Sequence, residues 1–115
     1  MKFGTMYEQG EIIIVPFPFS NLRSIKQRPV LILSKSFDIK ESNDIITCGI
    51  TSNLKDANHS VLIENENFIY GSIPKKSRIK VDKLFTLNKN LIKKKVARLN
   101  KETFEKVKEE FKKLV

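Results

Sequence analysis

Apolar positions along this chain fall into short runs rather than long helical stripes. Residues 10–15, Gly10-Glu11-Ile12-Ile13-Ile14-Val15, form a continuous β-branched run, the pattern of a strand covered on both faces, and Pro16 and Pro18 are expected to end its ladder. A polar stretch from Ser20 to Gln27 reads as a flexible loop leading into a second buried strand, Arg28-Pro29-Val30-Leu31-Ile32-Leu33-Ser34. Asp38 to Asn43 reads as a polar connection. Ile45 to Thr51 reads as a third strand, with Gly49 marking a bulge or close backbone approach. His59 to Glu64 and Phe68 to Ile73 follow as strands, with a turn at Asn65-Glu66-Asn67 between them.

In Arg78-Ile79-Lys80-Val81-Asp82 polar and apolar residues alternate, which predicts Arg78, Lys80 and Asp82 on one outward face and Ile79 and Val81 inside. Leu84 to Leu87 continues as β structure, and Lys94 to Leu99 makes a last short strand. Asn100 is a plausible N-cap for a helix from Lys101, whose apolar face is Phe104, Val107, Phe111 and Leu114. Short strands followed by one terminal helix predict a mainly β fold, a compact barrel with the helix packed against it. At 115 residues the chain suits one domain over 1–115.

Composition narrows the chemistry. A single cysteine, Cys48, forbids an intramolecular disulfide, and with a single histidine, His59, it leaves no zinc cage; no metal and no cofactor is expected. The longest apolar stretch, Ile12 to Phe19, is far shorter than the roughly 20 residues of a membrane span and is broken by prolines, so a cytoplasmic protein without a membrane partner is expected. The net charge of +9 is uneven: residues 1–74 carry 7 basic and 8 acidic side chains, and residues 75–115 carry 15 and 5. Such asymmetry fits a polyanionic partner, and a Lys-rich solvated face gives the same count.

No Gly-rich phosphate loop, nucleophile elbow, Cys/His pair or EF-hand loop is present. Glu64 and Glu66 read as part of a solvated turn. Arg28 precedes a proline, which holds its backbone extended as the chain enters a rigid strand. A guanidinium so directed suits a phosphate, which it grips with parallel donors, or equally a neighbouring carboxylate. Thr51-Ser52-Asn53 clusters hydroxyl and amide groups at a strand end, as a ligand site or as a turn cap.

In this order, Gly10-Glu11-Ile12-Ile13-Ile14-Val15-Pro16-Phe17, Arg28-Pro29-Val30-Leu31-Ile32-Leu33, Ile50-Thr51-Ser52, Ser77 to Leu87, and Arg98-Leu99 with the helix after it resemble the MazF/PemK family of toxin–antitoxin toxins over roughly residues 8–114. The resemblance implies a small SH3-like β-barrel of the CcdB/PemK/MazF type. It implies a two-fold homodimer that cuts single-stranded RNA without metal as an endoribonuclease, an mRNA interferase. It also implies a cognate acidic antitoxin as inhibitor, with DNA reached only through the antitoxin complex. The family's catalytic roles fall on Arg28 and Thr51, and those of its PemK branch on Lys80 and Asp82. Lys80 departs from that branch's arginine, because an ammonium is a point charge rather than a planar fork. The branch also carries a histidine in the loop before the Arg-Pro pair, which is absent here; His59 lies elsewhere and reads as structural.

In the implied reaction the ribose 2′-hydroxyl attacks the adjacent phosphorus, giving 2′,3′-cyclic phosphate and 5′-hydroxyl ends. Arg28 is expected to stabilise the phosphorane charge, Thr51 to orient the phosphate, and Asp82 to act as base or to form an ion pair with Lys80 or Lys83. Lys26, Ser52, Asn53, Arg78, Lys80 and Phe19 are the expected RNA-binding residues, with Phe17, Phe19 and Phe37 available for stacking or for the core. Two other readings stay open: a non-catalytic RNA- or protein-binding module of the same fold, and a gyrase-inhibiting toxin.

Overall fold

The computed structural model describes residues 6–18 and 25–115. The strands are β1 (Glu11–Pro18), β2 (Ile25–Ile32), β3 (Asp44–Thr51), β4 (Ser60–Ile63), β5 (Phe68–Gly71), β6 (Ser77–Asn88) and β7 (Lys94–Leu99). Helices α1 (Ser36–Glu41) and α2 (Lys101–Lys112) complete the fold. All seven strands join one antiparallel sheet in the order β4-β6-β3-β2-β1-β7-β5, which curls into an open barrel with β4 and β5 as its edges.

The strands with consecutive apolar residues lie at the centre of this sheet, as their pattern requires. Ile12 and Leu31 point into one core with Cys48, Ile79, Val81, Leu99 and Val107, and α2 covers it. Ile13, Val30 and Ile32 point into the other with Val15, Ile39 and Ile45. Each fully buried Ile or Leu contributes about 1.5–3 kcal/mol, so the two faces of β1 and β2 both drive folding. At the start of α2 the Asn100 side chain accepts from the Thr103 N–H at 2.8 Å, the expected cap. Val107 is fully buried, with Phe104, Phe111 and Leu114 packed against the first core.

Three expectations change. Pro16 and Pro18 do not end β1, which goes on pairing with β2 through Pro16↔Gln27, Phe17↔Lys26 and Pro18↔Ile25. The other neighbour, β7, pairs with β1 only as far as Ile14, so the prolines sit where β1 has one partner and a missing N–H costs no ladder bond. For the same reason β2 begins at Ile25, inside the stretch expected to be loop. The connection after β2 contains α1, too short to show a helical period; its one buried residue, Ile39, seals the second core.

A buried carboxylate ties the chain's start to the sheet. Glu11 is 2% exposed and accepts from the Glu8 N–H at 2.6 Å, from Lys95 Nζ at 3.2 Å and from the Tyr70 hydroxyl. These partners offset the desolvation of the charge and connect β1, β7 and β5. Arg98 on β7 adds an ion pair to Glu8 at 2.6 Å. Partial burial, and then the hydrogen bond to Glu11, push the Tyr70 phenol from its ordinary 10.0 up to about 12. Because the folded value lies above the unfolded one, this contribution to stability is complete below pH 10 and is lost as pH rises towards about 12. Tyr70→Phe is therefore expected to be less stable than wild type at neutral pH, with the difference closing across that alkaline window. Urea denaturation at a series of pH values measures it, and a difference that stayed constant would contradict the assignment.

Candidate functional site

The central strand β3 brings the candidate residues together. It pairs with β2 through Val30↔Gly49, Leu31↔Cys48 and Ile32↔Thr47. The bonded pairs end at Val30↔Gly49, two residues short of Arg28, while Thr51 is paired with Arg78 of β6. Neighbouring strands lie about 4.8 Å apart, so Thr51 and Arg78 share one row across the sheet.

Beside this row lies a cavity of about 240 Å³. Arg28, Ser52, Ser72, Lys75 and Ser77 supply its polar lining, and Ile14, Pro29, Ile50, Ile73 and Val96 its apolar lining. It falls below the range of about 300–1,000 Å³ usual for small-molecule sites. A shallow site with cationic side chains suits one unit of a polymer lying across the surface better than an enclosed small molecule.

Thr51, Ser52 and Asn53 open the loop to β4. The Thr51 hydroxyl accepts from the Asn53 N–H at 3.1 Å, and the Asn53 side chain accepts from the Lys55 N–H at 3.2 Å, so both residues shape the turn. Ser52 is exposed and faces the cavity. Arg78 donates from Nε to the Leu54 carbonyl at 2.6 Å and from its terminal nitrogen to the Ser60 hydroxyl at 3.2 Å, which binds the loop to β6.

Lys80 shares a face with Arg78 and Asp82 while Ile79 and Val81 enter the core, as alternation predicts, yet it is 3% exposed because the β3–β4 loop covers it. A bulge follows it. Opposite consecutive residues of β3, Cys48 pairs with Leu84 and Gly49 with Lys80, so residues 81–83 of β6 have no counterpart and the inside–outside alternation is lost there. The ammonium lies 2.9 Å from Asp56 Oδ1 and 3.6 Å from Asp82 Oδ1, and it donates to the Asn58 carbonyl. Asp82 is thus held in an ion pair at the bulge, outside the lining of the Arg28 cavity.

Lys26 is exposed on β2, two residues before Arg28. Phe19 lies outside the described residues. Phe37 is 70% exposed on α1 and does not line the cavity. His59 is exposed with φ +49°, a left-handed conformation uncommon outside glycine, and its carbonyl accepts from the Val81 N–H at 3.0 Å. Lys75, Ser72, Asp56 and Asn58 were not anticipated. Lys75 sits in the basic half of the chain, but only the fold sets it opposite Arg28, and no periodicity marks Asp56 as the partner of a lysine 24 positions away. Among the described residues, no group of three or more His, Cys, Asp or Glu side chains could hold a metal ion, and no helix is long and apolar enough to cross a membrane.

The fold is a small curled antiparallel sheet closed by a C-terminal helix, with basic and hydroxyl side chains at one mouth. The family described as PemK-like, MazF-like toxin of type II toxin-antitoxin system matches residues 8–115, and the chain belongs to it. No curated protein sequence matches the chain. Among solved structures, MazE-MazF (Form-II) from Deinococcus radiodurans superposes with a TM-score of 0.79 at 15% identity, covering 96% of each chain. An endoribonuclease in complex with its cognate antitoxin from a mycobacterial species gives 0.73 at 15%, covering 93% of this chain and 92% of that one. Mycobacterium tuberculosis toxin MazF-mt6 gives 0.72 at 17%, covering 90% and 93%. At such identities the likeness is one of fold.

The remaining nucleophile candidate is Cys48. Burial, reinforced by the nearby Asp82 carboxylate, pushes its thiol from 9.0 up to about 12, so it carries almost no thiolate at neutral pH. Native protein is expected to resist alkylation by iodoacetamide at pH 8, with one adduct formed after unfolding. Rapid labelling of the native protein, followed by mass spectrometry, would show that the core opens at this strand.

Proposed function

We propose that this toxin is an endoribonuclease that cuts single-stranded RNA by attack of the substrate's own 2′-hydroxyl. The observation that supports the reading is the cavity lined by Arg28, Ser52 and Lys75, next to the end of the strand that carries Thr51. In the reaction the 2′-oxygen bonds to phosphorus and the bond to the 5′-oxygen breaks, leaving 2′,3′-cyclic phosphate and a 5′-hydroxyl. Water takes the 2′-hydroxyl proton and protonates the leaving oxygen, since Asp82, the expected base, is ion-paired with Lys80 outside the lining of the Arg28 cavity. The Arg28 guanidinium, charged throughout, stabilises the extra negative charge as the phosphorane forms, and Thr51 orients the phosphate. The toxin is inhibited by an acidic antitoxin whose negative segment competes with RNA for the same basic surface.

The toxin acts as a homodimer. Exposed Ile46 and Leu84, 50% and 46% accessible, line an apolar groove with Leu33, Phe104 and Phe111, a surface that a second copy would cover. Leu84→Glu is expected to shift sedimentation from dimer to monomer; an unchanged dimer would place the interface elsewhere.

Purified protein incubated with an mRNA transcript in chelator is expected to cleave it, and Arg28→Ala to do so about 10²–10³-fold more slowly. Undiminished cleavage by the variant would remove Arg28 from the mechanism. Salt-dependent retention of RNA without any cleavage would leave a binding module in place of an enzyme.

A further inference from the structure

We propose that Lys80 is a positioning residue: its buried ammonium clamps the β3–β4 loop against β6 and orients Asp82, and it makes no contact with the RNA phosphates. The part of this inference that concerns catalysis rests on the endoribonuclease reading above; the part that concerns the loop does not.

A lysine ammonium has three donors and no acceptor. Around Lys80 there are three oxygens: the Asn58 carbonyl, Asp56 Oδ1 at 2.9 Å and Asp82 Oδ1 at 3.6 Å. With the residue 3% exposed and its ammonium held between a carbonyl and two carboxylates, a phosphate has no open path to it. The two carboxylates come from opposite sides of the site. Asp56 belongs to the loop that starts at Thr51 and Ser52, and Asp82 to the bulge of β6, so one charge links the segment that follows the Thr51 hydroxyl to the bulge.

The loop needs such a link. Every residue from Ser52 to His59 is exposed, so no buried apolar side chain anchors it. Its contacts with β6 are polar: Arg78 to Leu54 and Ser60, Lys80 to Asp56 and Asn58, and the His59 carbonyl to the Val81 N–H. The left-handed backbone at His59 is an unfavourable conformation that a free loop would relax, and these contacts bracket it on both sides. Asp56 is 47% exposed, which makes it the end of the clamp that can be removed without opening the core.

The test compares Lys80→Met, Asp56→Asn and Arg28→Ala in the full-length protein. In hydrogen exchange, amides of residues 53–59 are expected to exchange faster in both clamp variants while core strands keep their protection. Affinity for a mixed-sequence 2′-O-methyl oligoribonucleotide, which cannot be cut, is measured against salt. A lost phosphate contact lowers the slope of log K on log salt by about 0.7 for a single strand, so Arg28→Ala is expected to lower it and the clamp variants to leave it unchanged. On a cleavable transcript the clamp variants are expected to lose about 10–100-fold in kcat with little change in KM, as for a misplaced catalytic group. A reduced slope in Lys80→Met, or unaltered loop exchange in both clamp variants, would overturn the proposal. Wild-type protein that failed to cleave would defeat the endoribonuclease reading alone, because exchange and salt slope still decide the clamp.

Discussion

The pairing register of β3 is the constraint on which the site depends. This strand is bonded on both sides, to β2 through Val30↔Gly49 and to β6 through Thr51↔Arg78, so its position dictates which side chains share a row at the barrel mouth. A slip of one residue would turn every side chain to the opposite face, taking Ile45 out of one core and Cys48 and Ile50 out of the other. The apolar demand of two cores therefore locks in place a row that is itself polar. Thr51 and Arg78 need no contact between their side chains to be held as neighbours, because the cores on either side of the sheet hold the strands that carry them.

The bulge in β6 is the place where that regular order is given up. Between Leu84 and Lys80 the strand spends residues 81–83 without partners on β3, and Lys80, at the edge of the bulge, lies among oxygens from the loop and from its own strand. An ammonium taken out of water is costly unless its donors are met, and removing one partner exposes that cost. Buried charge of this kind gives the loop one preferred geometry. Glu11 does the same at the other connection, where Tyr70 and Lys95 converge on a buried carboxylate and fasten β5 and β7 to β1. At both sites an ionised group surrounded by counter-charges takes over where apolar packing is thin.

Much of this architecture was legible in residue order. The β-branched run at Ile12 to Val15, the strand Lys94–Leu99 and the Asn100 cap are set by local chemistry that tertiary contacts reinforce, and all appear where the pattern predicts them. The prolines of β1 misled because their effect depends on whether a second strand lies alongside, which residue order does not state. The alternation at Arg78 to Asp82 held, with Ile79 and Val81 in the core and Lys80 beside Asp82; it gave no sign of the loop that covers Lys80, and period two lapses only past Val81, where the bulge lies. Gly49 did mark that spot, since the register shifts between Cys48 and Gly49. Asp56 and Lys75 carried no signal, since their partners come from distant parts of the chain.

Charge shows most clearly how composition and site differ. The C-terminal third of the chain holds 15 of the 22 basic residues, which suggests a broad cationic surface. Yet several of these side chains are engaged within the molecule: Arg78 and Lys80 on the β3–β4 loop, Lys89 on the Ile39 carbonyl, Lys95 on Glu11 and Met6, and Arg98 on Glu8. Their charge still contributes to the long-range field that draws in a polyanion, because a field sums over all charges, but a donor already bonded to a carbonyl or carboxylate cannot also grip a phosphate. Steering of this kind is distributed through the basic half of the chain, while Arg28 and Lys75 are the cations that line the cavity itself.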